Sequence, residues 1–281
     1  MKRSIRVSGP ITQTLLGCMA FAVTLFLIVP VLIIVPTSFS AGSFLAFPPP
    51  GFSLQWYERL LERDVWAESA WLSIWIALLV TLASTVLGTL GAFGLVRGSF
   101  WGQRVVLAFI LSPLIIPGVI VAIAIYFFYA QMRLVGSPIA IAIAHTTIAV
   151  PFVVINVSAS LQGFDRRLEM AAQNLGASHW DTFRLITLPI IRPGIFAGAL
   201  FAFISSFDEL IIALFIAGPR QVTLPLRMWE SMKSSLDPTL AAISVIAVSI
   251  SVALFFTSTW LQARAKRRTE ALTETLVGGD A

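Results

Sequence analysis

The sequence has few charged residues and a single cysteine. Only 12% of its 281 residues are Asp, Glu, Lys or Arg, and 57% are hydrophobic, whereas a soluble domain carries about 25% charged residues. This composition excludes an ordinary soluble domain and indicates a chain that is solvated largely by lipid. The lone cysteine, Cys18, excludes an intrachain disulfide and a cysteine-based metal site.

The sequence also lacks the residues of a nucleotide-hydrolysing site. Its three lysines, Lys2, Lys233 and Lys266, do not follow glycine, so the phosphate-binding pattern G-x-x-x-x-G-K-[ST] is absent. The two histidines lie far apart, and no cluster of His, Asp and Glu has acid–base or metal-ligand spacing. We therefore predict no catalytic residue, metal site or cofactor in this chain. His145 lies in an apolar run and is predicted to be a hydrogen-bonded packing residue rather than a proton relay.

Six apolar runs are long enough to cross a membrane. A hydrocarbon core of about 30 Å needs about 20 helical residues, and the backbone in lipid must be helical because no water satisfies its polar groups. The predicted spans are residues 14–36, 69–96, 105–130, 138–160, 194–217 and 239–261. The predicted fold class is an all-α integral membrane protein, with a transmembrane domain at 14–261 between terminal segments at 1–13 and 262–281.

Basic residues fall mainly on one side of these spans. If the N-terminus is cytoplasmic, thirteen of the 19 Lys and Arg residues lie in cytoplasmic segments and six in outer loops. Lys and Arg are enriched on the cytoplasmic side of membranes, so we predict that both termini are cytoplasmic. The first run exceeds the roughly 7–15 apolar residues of a signal peptide, and we expect it to remain as an anchor.

Small residues recur at helical spacing in two of the spans. They are Gly88, Gly91, Gly94 and Gly98 on the second span and Gly194, Gly198 and Ala202 on the fifth. Such rows favour close helix contacts, although any single glycine is equally consistent with a filler role.

The connection at 161–193 is patterned as two amphipathic helices. Its first apolar residues recur three and four apart and form one stripe: Leu168, Ala171, Ala172 and Leu175. Gly176 fits a helix C-terminus, and Ser178 to Asp181 has the spacing of a capping box that starts a second helix. Pro189 is predicted to end the segment. The stripe requires a partner, which is either another protein or a membrane surface.

The stretch from Met170 to Pro189 resembles the EAA loop of binding-protein-dependent ABC importer permeases. The pattern of that family is Glu-Ala-Ala, three residues, Gly, nine residues and Ile-x-Leu-Pro. The matching positions are Ala171, Ala172, Gly176, Ile186, Leu188 and Pro189. The family's Glu falls on Met170, with Glu169 one residue earlier, and one residue turns a helix by about 100°.

The resemblance implies the six-helix, MetI-like permease fold and a place in a bacterial inner membrane. It implies a second related permease subunit that completes the pathway, two ATPase subunits that bind ATP and Mg²⁺, a soluble periplasmic binding protein, and no nucleic-acid partner. The loop at 161–193 would dock on an ATPase subunit. Its coupling residues would be Glu169, Ala171, Ala172, Leu175, Gly176, Ile186, Leu188 and Pro189.

Within that family, the sequence looks most like the shorter subunit of the spermidine/putrescine-type permeases. The residues that carry this likeness are Ser205 to Glu209, His145 to Thr147, and Pro151 with Phe152. It implies that the transported solute is a polyamine. Alternatives are another small solute, such as an amino acid, an opine, a phosphonate, thiamine, a metal or an anion, or a secondary transporter that works without ATPase subunits.

Asp208 and Glu209 are the candidate residues of the substrate pathway, together with Ser205. An ionised carboxylate at mid-bilayer costs about 3 kcal/mol, so the pair must face protein or water. On a continuous helix, Ser205 would share a polar sector with both acids, about 21 Å above a helix start near Gly194. There the acids would attract a cation or close a gate. A role as an interhelical hydrogen bond or a helix cap is the alternative.

Overall fold

The structure is a computed structural model that describes residues 10–62, 64–234, 236–253 and 255–257. These residues form mainly α-helices, in agreement with the predicted all-α class. The helices are α1 (Pro10–Ser38), α2 (Gln55–Glu62), α3 (Asp64–Arg97), α4 (Gln103–Ile115), α5 (Gly118–Gln131), α6 (Pro138–Gln162), α7 (Arg167–Asn174), α8 (His179–Thr182), α9 (Leu188–Phe207), α10 (Ile211–Ile216), α11 (Leu224–Ser234) and α12 (Thr239–Thr257). A π-helical turn, Phe183–Thr187, joins α8 to α9.

Most of the predicted spans correspond to single helical stretches. Five stretches in the described residues have the length and hydropathy to cross a membrane: Thr12–Ser38, Asp64–Arg97, Pro138–Gln162, His179–Phe207 and Thr239–Thr257. The pair α4 and α5 makes six if it is counted as one bent span. The first nine residues, the predicted end of the sixth span and the C-terminal tail lie outside the described residues.

The third span is broken, whereas the sequence predicted one run at 105–130. Helix α4 ends at Ile115, α5 begins at Gly118, and the two are bent by 104°. Pro117 is the physical reason, because the residue before a proline is driven out of the helical region. Ile116 is accordingly extended, with φ −74° and ψ 134°. Hydropathy records that a run is apolar but not that it changes direction.

The fifth span also differs from the predicted range of 194–217. The helical stretch begins at His179 and ends at Phe207. Pro189 does not end the preceding segment but lies in the first turn of α9. A proline lacks an N–H and crowds the carbonyl four residues earlier, and the wider π-helical turn at Phe183–Thr187 accommodates both effects.

The chain divides into two compact units, of which the larger contains Val65–Glu230. Two of its helices, α3 and α9, pack closely against Val153 on α6. A β-carbon built on Gly198 of α9 would lie 2.8 Å from the Cα of Val153, and one built on Gly88 of α3 would lie 2.6 Å from its Cβ. The predicted close contacts are therefore present at these two glycines. Gly94 faces open space.

The smaller unit contains the residues through Asp64 together with Ser231–Ser249. The connection between α1 and α3 folds back on itself around Trp56, which is buried on α2 and donates its indole N–H to the carbonyl of Ser40 at 2.7 Å. The hydroxyls of Tyr57 and Ser38 also lie 2.8 Å apart. The sequence predicts only an outer loop between the first two spans, so α2 was not predicted.

We predict that Gly198→Ala destabilises the protein. A methyl group at this position meets the backbone of Val153, so α9 must move away from α6 or strain its packing, at a cost of about 1–3 kcal/mol. Gly94→Ala is the matched control, because its methyl group meets nothing within 4 Å and alanine favours helix by about 1 kcal/mol. Thermal unfolding of the purified variants measures both effects. Equal melting temperatures for the two variants would contradict close packing at Gly198.

Candidate functional site

Helices α7 and α8 form a hairpin, Arg167–Thr182, with a glycine at its break. Gly176 has φ +92°. Its N–H donates to the carbonyl of Gln173 at 3.0 Å, and the N–H of Ala177 donates to the carbonyl of Ala172 at 3.0 Å. This pair of hydrogen bonds is a Schellman motif, which requires a left-handed residue at the position of Gly176. The predicted break between two helices is confirmed.

Helix α8 starts at the predicted cap. The Ser178 hydroxyl accepts from the backbone N–H of Asp181 at 3.1 Å and donates to its carboxylate at 2.6 Å. The chain then runs through the π-helical turn into α9, so the second arm of the hairpin continues directly into a membrane-length helix.

The apolar stripe of α7 is uncovered in the described part of the chain. Leu175 is 89% exposed and Leu168 48%; Ala171 is exposed and Ala172 half-buried. Trp180 on α8 is 65% exposed. The remaining predicted coupling residues, Ile186, Leu188 and Pro189, are half-buried where α8 joins α9. An exposed apolar surface of this kind is typical of an interaction site.

Glu169 lies about 100° around α7 from Leu168 of the exposed stripe, and its carboxylate is directed back into the chain. Its Oε1 accepts from Nη2 of Arg97 at 2.9 Å and from the hydroxyl of Thr187, and its Oε2 accepts from Nη1 of Arg97. We call these three residues the Glu169 network. Sequence reasoning missed it, because Arg97 and Glu169 are 72 positions apart and no spacing pattern links them. In the sequence, Arg97 is only one of the thirteen basic residues predicted to lie on the cytoplasmic side.

The environment of Glu169 favours its ionised form. Burial by itself raises the pKa of the carboxyl group. The hydrogen bonds from Arg97 and Thr187, together with the positive charges of Arg97 and Arg166, outweigh burial and hold the pKa of Glu169 below its ordinary value. The guanidinium of Arg97 also lies over the ring of Phe164, with 5.3 Å from Cζ to the ring centroid.

The acid pair lies at a break between α9 and α10. Helix α9 ends at Phe207, and Asp208 leaves the helical conformation with φ −93° and ψ 0°. The prediction that Ser205 and both acids share one continuous helix is therefore wrong. Glu209 accepts from the backbone N–H of Ile212 at 2.9 Å and acts as a cap. Asp208 is exposed, and within the described ranges its side chain makes no hydrogen bond or ion pair.

The breaks of the third and fifth spans lie next to each other. A β-carbon on Gly118, the first residue of α5, would lie 3.4 Å from Cδ1 of Ile211, the first residue of α10. Close by, the buried His145 on α6 lies 3.1 Å from the hydroxyl of Ser206 through its Nδ1. His145 is thus a hydrogen-bonded packing residue, as predicted. Interrupted membrane helices are tolerated where they pack on protein or line a pathway.

An all-helical chain of several spans, with two interrupted helices and an exposed helical hairpin, has the architecture of a membrane transport permease. The chain belongs to the family described as the binding-protein-dependent transport system inner membrane component, which matches residues 84–270. This match covers the α7–α8 hairpin and both breaks.

Individual proteins agree with this assignment. The chain is 35% identical over 250 residues to the putrescine transport system permease protein PotI of Escherichia coli (strain K12), covering 86% of this chain and 89% of that protein. It is 30% identical over 234 residues to the spermidine/putrescine transport system permease protein PotC of Haemophilus influenzae, covering 83% and 91%. A crystal structure of a bacterial ABC transporter involved in the import of the acidic polysaccharide alginate superposes with a TM-score of 0.65 at 18% identity, covering 94% and 98%. That likeness supports the fold.

We predict that the contribution of Glu169 to stability depends on pH. Because the pKa of Glu169 is lowered in the folded protein, its stabilisation is present above the ordinary value of about 4.3 and is lost as pH falls through the folded value. Glu169→Gln should lower the melting temperature by a constant amount between about pH 8 and pH 5, and the difference should shrink below about pH 4. Thermal unfolding of both proteins across this range tests the prediction. A difference that persists unchanged to about pH 3 would contradict it.

Proposed function

We propose that this chain forms half of the translocation pathway for a polyamine in an ABC importer. The observation that carries the proposal is the exposed Asp208 carboxylate at the break between α9 and α10. The relatives of this chain, PotI and PotC, are named as putrescine and spermidine/putrescine permeases, and they support the same solute class.

The chain acts with partners in this proposal. A second, related permease subunit supplies the other half of the pathway, two ATPase subunits hydrolyse ATP, and a soluble periplasmic protein delivers the solute. Both termini and the α7–α8 hairpin face the cytoplasm, which agrees with the distribution of Lys and Arg. The absence of a phosphate-binding lysine motif agrees with ATP hydrolysis in other chains.

Of the two acids, Asp208 is the better candidate for contact with the solute. Glu209 already accepts a backbone N–H and is half-buried, so its role as a cap accounts for it. Asp208 has no such role, and an ionised carboxylate in a membrane segment must face water or an opposite charge. In a pathway of low dielectric, its charge lowers the barrier for a cation that leaves water.

We predict that Asp208→Asn lowers polyamine uptake strongly and that Glu209→Gln does not. Asn keeps the shape of Asp208 but removes its charge, and an attraction of about 4 kcal/mol at 4 Å lies well above the 1.4 kcal/mol that changes a rate tenfold. Gln at 209 still accepts from Ile212, so uptake should stay within about twofold. The measurement is uptake of labelled putrescine by vesicles with the complete importer at matched subunit levels.

One control and one contradicting outcome make this experiment decisive. The ATPase subunits should co-purify equally with both variants, which separates lost transport from lost assembly. Wild-type uptake by both variants would show that the acids are structural and would remove the support that this chain gives to a cationic solute.

The exposed stripe of α7 docks on an ATPase subunit in the proposed importer. It is apolar, uncovered and carried on a hairpin that continues into a membrane-length helix. A movement imposed on the hairpin is therefore delivered to α9 through an unbroken helical stretch.

We predict that Gly176→Val uncouples ATP hydrolysis from transport. Space does not limit this position, since a β-carbon meets nothing within 4 Å, but φ of +92° excludes a β-branched side chain. Uptake should fall and substrate-stimulated ATP hydrolysis should be lost, while membrane insertion is retained. Gly176→Asn is the matched control, because asparagine tolerates the left-handed conformation. Normal uptake by Gly176→Val would rule out coupling through this hairpin.

A further inference from the structure

We propose that the Glu169 network is the tether through which α7 transmits movement to the ends of α3 and α9, and that Glu169 works within this chain and does not contact an ATPase subunit. The proposal rests on the docking of the hairpin proposed above. It adds a positioning role for Arg97, Glu169 and Thr187.

The network joins three segments that are distant in sequence. Arg97 is the last residue of α3, Glu169 lies in the first turn of α7, and Thr187 is the last residue of the π-helical turn before α9. Both carboxylate oxygens accept hydrogen bonds from within the chain. The Glu169 side chain is only 17% exposed, so a basic residue of another subunit reaches it only by displacing Arg97.

Most other residues of α7 are not packed against the rest of the chain. Arg167, Leu168, Met170 and Ala171 are exposed, as are Gln173 and Asn174; Glu169 and Ala172 are half-buried. At its other end, the hairpin needs no tether because α8 runs on into α9. A force on α7 therefore reaches the end of α3 through the Glu169 network, in addition to the path through α8 into α9.

The residues of the network outside α7 lie in buried surroundings. Thr187 is 1% exposed and Phe164, beneath the Arg97 guanidinium, is 7% exposed. A bidentate arginine–carboxylate pair fixes orientation as well as distance. When α7 moves, Arg97 and Thr187 both move with Glu169, because their hydrogen bonds to its carboxylate are kept.

Positions 169 and 170 of α7 face different surroundings. Met170 is 55% exposed on the outside, where a family member with glutamate would present a carboxylate to a partner. Glu169, rotated by about 100°, faces the helix ends. The carboxylate is thus used inside the chain, and the outward position is apolar.

The test is a charge exchange in the complete importer. Arg97→Glu and Glu169→Arg each place like charges together, and each should lower uptake by about tenfold or more, with loss of substrate-stimulated ATP hydrolysis. The double variant Arg97→Glu/Glu169→Arg restores the pair and should recover uptake to within about threefold of wild type. ATPase co-purification should be unchanged in all three.

Arg166→Gln is the matched control. Its positive charge acts on Glu169 without a hydrogen bond between them, so uptake should change by less than about twofold. Arg97→Gln also removes one positive charge near Glu169, but it breaks the bidentate hydrogen bonds as well. This variant should lose about as much uptake as Arg97→Glu.

Each other outcome overturns the proposal in a distinguishable way. If Glu169→Arg loses the ATPase subunits and the double variant does not regain them, Glu169 contacts the ATPase. If the double variant recovers the melting temperature but not coupled transport, the network only stabilises the fold. If every variant transports like wild type, the network is dispensable. Docking of the hairpin is tested separately by Gly176→Val. A failure of the docking proposal can therefore be distinguished from a failure of the proposal on the Glu169 network.

Discussion

The breaks in the membrane-spanning helices of this chain are constrained by the absence of water inside a membrane. A backbone N–H or carbonyl that leaves a helix in lipid has no solvent partner, so breaks are tolerated only where protein covers them or a pathway supplies water. The chain meets this constraint by placing the break near Pro117 against the break at Asp208. At the second break, Glu209 also satisfies the N–H of Ile212. Asp208 is left as the exposed charge.

The same constraint explains why small residues hold the larger unit together. Helices in lipid gain little from the hydrophobic effect, so they associate through close packing. Gly88 and Gly198 allow α3 and α9 to approach Val153 from two sides, and His145 adds a hydrogen bond to Ser206 at the end of α9. Helix α6 is therefore the helix on which α3 and α9 pack in the larger unit.

Sequence reasoning succeeded where the signal is local. Gly176 and Ser178 specify a break and a start within a few residues, and both features appear in the hairpin. It failed where the outcome depends on tertiary context. Pro30 and Pro151 lie inside unbroken helices, whereas Pro117, which precedes Gly118 as in a turn, interrupts a span. Hydropathy alone does not separate these cases. The Glu169 network was equally inaccessible, because it depends on how the end of α3 meets α7.

The position of the carboxylate on α7 shows how a shift of one residue in a family pattern changes what an acid can contact. Moving an acid by one residue on α7 changes its direction by about 100°, from the exposed surface to the ends of the spans. Position 170 then carries no carboxylate that must be desolvated on docking, since Met170 is apolar and exposed. Desolvating an unpaired carboxylate is costly, whereas Arg97 and Thr187 already pair the one at 169. An exposed position 170 without a carboxylate and an acid paired inside the chain are thus two consequences of the same displacement.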